Sequence, residues 1–100
     1  MIVLLPIIGD EIIITQKEKP TNEQLIKWIS CGDTEIVNVL YKGKRQQLIV
    51  DEVGAINKKP INILATPIYH NAATLSGQDM SNAPCIHGVA VLLTDEHNLD

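Results

Sequence analysis

The chain has 100 residues, with 8 Lys and Arg against 12 Asp and Glu and a net charge of −4. It is one domain whose acidic balance favours solubility and offers no broad phosphate-binding surface. Its 32 Ile, Val and Leu residues exclude a disordered segment, and one Trp, two Tyr and no Phe leave no platforms for stacked single-stranded bases, so nucleic acid is not an expected partner.

Ile2 to Ile8 and Glu11 to Gln16 are Ile- and Val-rich runs on either side of Gly9-Asp10, which predicts a hairpin with a two-residue II′ loop. Pro6 cannot donate to a ladder, so its strand is expected at an edge or with a bulge. Thr21 and Gln24 have capping-box spacing, and Leu25, Trp28 and Ile29 recur at helical intervals before Gly32. These predict an amphipathic helix over 22 to 31 with a left-handed stop at Gly32 and Trp28 toward the core.

Thr34 to Tyr41 and Gln46 to Asp51 read as a second hairpin through Lys42-Gly43-Lys44-Arg45, followed by a tight turn at Glu52 to Ala55 in which Gly54 supplies a positive φ. Thr66 before Pro67 predicts an N-cap and a helix from Pro67 to about Ala73. Residues 74 to 84 read as a loop, Ile86 to Thr94 as a last strand, and Asp95 to Asp100 as an acidic tail that frays. The order β-β-α-β-β-α-β predicts an α+β fold: a single, mainly antiparallel sheet of about five strands with one or two short helices on one face.

P-loop, G-x-G-x-x-G, H-E-x-x-H and G-x-S-x-G signatures are all absent from the sequence. Cys31 and Cys85 are far apart and belong to no C-x-x-C pair. They are expected as two reduced thiols of a cytoplasmic protein. The apolar start has no Lys or Arg before it and stops at Gly9-Asp10, so neither a signal peptide nor a membrane segment is expected. Cys85 and His87, with His70 as a third group, form a weak ligand or nucleophile constellation; only Cys31 or a carboxylate could supply a fourth ligand and no spacing indicates an orienting group, so no metal or cofactor is expected.

The order of motifs resembles a known family. The helix Asn22 to Cys31 is followed by Cys31-Gly32-Asp33-Thr34-Glu35-Ile36-Val37, then Leu48-Ile49-Val50-Asp51-Glu52-Val53-Gly54. After these come Pro60-Ile61-Asn62-Ile63-Leu64-Ala65-Thr66 and Ile86-His87-Gly88-Val89-Ala90-Val91. Together, over about residues 10 to 94, they resemble the domain-of-unknown-function family 3846, small proteins encoded largely by bacteriophages and bacteria. The resemblance implies a phage-type intracellular accessory protein and brings no catalytic residues with it.

The residues leave two readings of the site open. In one, Asp51, Glu52, Asn62 and Thr66 serve turns and caps. In the other they converge at one end of the sheet as a small polar site, with Lys44 and Arg45 among the basic residues of the nearby turns. The expected function is non-enzymatic binding of a host or phage protein. The alternative is a small-ligand binder for a nucleotide or phosphorylated metabolite, held by Asn62 and Thr66 beside Lys42, Lys44, Arg45, Lys58 and Lys59. An enzyme using Cys85 and His87, or Asp51 and Glu52, ranks third. Because Ile2 to Leu5 and Ile12 to Ile14 are apolar at consecutive positions, both faces of the first hairpin are apolar, and a homodimer through that hairpin is expected.

Overall fold

A computed structural model describes residues 1–75 and 84–99. Strands β1 (Ile2–Leu5), β2 (Ile12–Ile14), β3 (Thr34–Tyr41), β4 (Lys44–Asp51) and β5 (Ala90–Leu93) form one antiparallel sheet in the order β2-β1-β5-β4-β3, with helices α1 (Asn22–Ile29) and α2 (Ala65–Leu75). The α+β fold with a single five-stranded sheet is the one expected. No helix among the described residues is long and apolar enough to cross a membrane.

The helices lie on opposite faces of the sheet, where the sequence suggested one covered face. Val3, Leu5, Leu48, Val50, Ala90 and Leu92 point to one side and pack with Ala65, Ile68 and Tyr69 of α2. Ile2, Ile49, Val91 and Leu93 point to the other and pack with Leu25, Trp28 and Ile29 of α1. β5 is therefore buried at all four positions, and its unbroken apolar run reflects burial on two faces. The same reason applies to Ile2–Leu5, so the β1 half of the first hairpin is covered on both faces. Only the rim of that hairpin stays open, at Ile12 and Ile13, which are 50% and 60% exposed.

Several local expectations are corrected. Pro6 ends β1, which is an interior strand, and residues 6–11 make a longer loop than the two-residue turn expected, with Gly9 at φ +92°. The capping box is present: Thr21 Oγ1 accepts from Gln24 N at 3.1 Å, and Gln24 Oε1 accepts from Thr21 N at 3.0 Å. The left-handed stop falls on Ser30 (φ 58°) instead of Gly32. The β3–β4 turn is the pair Lys42-Gly43, both at positive φ, as a tight type I′ hairpin requires.

α2 begins at Ala65, two residues before Pro67, because Asn62 and not Thr66 caps it. The loop expected over 74 to 84 lies largely outside the described residues. The tail from Asp95 is docked up to Leu99. Gln46 Oε1 accepts from Asp95 N and Asn98 Nδ2, both at 3.0 Å, while the Gln47 amide exchanges two hydrogen bonds with the Leu99 backbone. His97, 6% exposed in a 3-10 turn, donates from Nε2 to Gln16 O at 2.7 Å.

Candidate functional site

β1 and β4 both run antiparallel to β5, so their last residues, Leu5 and Asp51, and the first residue of β5 share one end of the sheet. The chain folds this end from three segments: the turn after Asp51, the stretch 60 to 64 leading into α2, and residues 84 to 89 leading into β5.

Asp51 is the electrostatic centre of the turn. Its side chain is 1% exposed, Oδ1 accepts from Val53 N at 3.0 Å, and Oδ2 lies 2.5 Å from Lys59 Nζ. The Lys59 ammonium also donates to Ser30 O at 2.8 Å, which ties the turn to the C-terminal end of α1. Removing the cation strands a buried carboxylate, while removing the charge of Asp51 leaves a lysine, 25% exposed, that can turn to water. Lys59→Met is therefore expected to lower unfolding stability by about 3 kcal/mol and Asp51→Asn by clearly less. Equal losses in urea titrations of the two variants would contradict this asymmetry.

Cys31 sits beside this pair. Burial, then the negative charge of Asp51, push its thiol above the ordinary range, only partly opposed by Lys59. A thiol held protonated is a poor nucleophile. Both cysteines are free.

A cavity of about 300 Å³ opens on the α2 side of this end, with Glu35, Asp51, Glu52, Tyr69, Cys85 and His87 in its lining. His87 Nδ1 lies 2.7 Å from Lys59 O. A carbonyl oxygen only accepts, so Nδ1 carries a proton and donates it to this bond. The backbone of His87 is itself fixed by a bridge to Ile61. His70 does not join this group through its bonded nitrogen, since Nε2 lies 2.9 Å from Pro84 O. Among the described residues, no three His, Cys, Asp or Glu side chains are placed to hold a metal ion.

Asn62 and Thr66 form the frame behind the cavity. Asn62 is fully buried and all four hydrogen-bonding positions of its amide are used: Nδ2 donates to Leu5 O (2.8 Å) and Gly88 O (3.0 Å), and Oδ1 accepts from Leu64 N (3.0 Å) and Ala65 N (2.9 Å). Thr66 Oγ1 accepts from Ile86 N at 3.0 Å. Gly54 packs so closely on the same segment that a Cβ would stand 2.5 Å from His87 O. Its φ is not positive, so close approach explains this glycine and the expected turn geometry does not.

Of the six residues singled out in the sequence, the cavity brings together Asp51 and Glu52. Asn62 and Thr66 are consumed by structure. Lys44 and Arg45 lie at the start of β4, some ~20 Å from Asp51 at strand spacing. There Lys44 approaches Asp95 at 3.9 Å. Glu35 and Tyr69 were missed, while Lys59, read in the sequence as part of a basic spot, is taken up by Asp51. Glu35 reaches the cavity through its pairing with Val50, a register that no local motif announces.

Comparison with known proteins returns no matching family model, no matching curated protein and no matching solved structure. The resemblance to family 3846 rests on the four sequence motifs alone.

Proposed function

We propose that the chain is a non-enzymatic binding module for a host or phage protein, of the phage-type cytoplasmic accessory class that the sequence motifs imply. One observation carries this reading. Ile8 (88% exposed), Ile56 (78%), Ile63 (70%) and Ile61 (48%) all stand in the loops at the β1/β4 end of the sheet. The Asn62 bond to Leu5 O holds residues 61 to 63 beside the start of the 6–11 loop. Four large aliphatic side chains exposed at one end of so small a domain offer apolar surface of the kind a protein contact covers.

The phosphorylated-ligand alternative finds a cavity but not the matching charge. Among the described residues the cavity lining contains Glu35, Glu52 and Asp51, the last paired with Lys59, and no Lys or Arg, and the basic hairpin tip lies at the opposite end. Pull-down from bacterial and phage-infected lysates tests the binding reading. The wild type should retain a stoichiometric protein that the double variant Ile8→Asp, Ile63→Asp loses while keeping its circular dichroism. No stoichiometric partner from either lysate, or full retention by the folded variant, would reject it.

A further inference from the structure

β3 is the outermost strand on its side of the sheet, eight residues long, and among the described residues no strand pairs with its outer edge. Glu52 N donates to Asp33 O at 3.2 Å, and Asp33 and Glu52 continue the register that begins at Thr34 and Asp51. Residues 33, 35, 37, 39 and 41 therefore exchange their backbone hydrogen bonds with β4, while Thr34, Ile36, Asn38 and Leu40 direct theirs outward. The strand's own sequence carries few of the residues that protect an edge. It has no Pro, no Lys and a single charged residue, Glu35.

We infer that β3 pairs antiparallel with β3 of a second copy of this chain, about a two-fold axis at Asn38, so that two sheets join into one of ten strands. Two properties of the strand select a second copy. Its flanks are oppositely charged, with Asp33 and Glu35 at the start and Lys42, Lys44 and Arg45 just past the end, all exposed. Antiparallel pairing sets each acidic end against the basic end of the other copy, which a parallel arrangement would not do. Centring on Asn38 also places Thr34 opposite Lys42 and Ile36 opposite Leu40 of the second copy, with the outward backbone groups of both strands in bonding positions.

The apolar match follows from the same register. Ile36, 49% exposed, lies with Asn38 and Leu40 on the α1 face of the sheet, where α1 packs on β4 and β5. Ile36 of each copy meets Leu40 of the other across the new ladder. β2, the opposite edge, has three residues and cannot offer a comparable two-fold register. The interface lies along the side of the sheet and is independent of the isoleucine patch at its end.

Sedimentation equilibrium from low to high micromolar concentration tests the pairing. The mass should rise from 11.0 kDa toward twice that value. Asn38→Pro removes an outward N–H and no bond to β4, so the folded variant should stay monomeric. Should that variant fail to fold, Ile36→Lys, at an exposed side chain, should weaken association at least about tenfold, some 1.4 kcal/mol. Glu35→Lys should weaken it too, and adding Lys42→Asp should restore it. A mass fixed at 11.0 kDa throughout, a dimer unaffected by these variants, or one abolished instead by Ile13→Asp would overturn the inference. Loss of the dimer with the lysate partner retained would separate this interface from the proposed function.

Discussion

Asn62→Ala is expected to be the most damaging single substitution in the molecule, lowering unfolding stability by about 3–5 kcal/mol. The alanine would leave Leu5 O, Gly88 O, Leu64 N and Ala65 N without their partner at a fully buried position. A domain of this size has about 5–15 kcal/mol in total, and each kilocalorie moves the midpoint by about 4–8 °C, so the melting temperature should fall by roughly 20 °C. A drop of only a few degrees in a thermal melt would show that these groups find other partners.

Asn62→Asp separates the donor half of the amide from the acceptor half. The carboxylate keeps the bonds from Leu64 N and Ala65 N but turns an oxygen toward two carbonyl oxygens. Burial beside those carbonyls raises the folded-state pKa of the new acid above its unfolded value of about 4. A raised folded pKa means that the variant is closest to wild type below the unfolded value. It falls further behind as pH rises through the folded one. Urea midpoints at pH 4 and pH 7 should therefore diverge from wild type more at pH 7. The opposite order would contradict the assigned amide orientation.

The second large effect is expected at Gly54, where Gly54→Ala should lower stability by about 2–3 kcal/mol. The added Cβ would stand 2.5 Å from His87 O and 3.3 Å from His87 C. The obstacle is backbone held by the Ile61 bridge and by the Nδ1 bond to Lys59 O, so it cannot swing aside as a side-chain tip would. Gly54→Asn distinguishes this cause from the one suggested by the sequence. Asparagine tolerates a left-handed backbone and would rescue a positive-φ turn, but here it should be at least as destabilising as alanine. If it were milder, the steric account would be wrong.

Short-range patterns in the sequence were enough to reveal α1, the two hairpins and the α+β class. The Thr21 and Gln24 pair closes its box within three residues, and the Lys42-Gly43 turn sets its own strand register. Such features depend on neighbours that the chain supplies locally, so periodicity and capping chemistry are sufficient to find them.

The tertiary structure decided how those elements share their polar and apolar groups. Asn62 reads as a turn residue until Leu5, 57 positions away, and Gly88, 26 positions away, are brought to its amide. The acidic tail reads as loose until Gln46 and Gln47 meet Asp95 and Leu99 at separations of 49 and 52. The consecutive apolar positions of Ile2–Leu5 suited either a dimer face or a doubly covered strand, and α1 and α2, packed on opposite faces of the sheet, cover both sides of β1. Asp51 and Glu52 were visible as carboxylates, but not the cavity they share with Glu35 and His87. A buried polar group must be satisfied by whatever the fold carries to it, and no local pattern records which distant residue that will be.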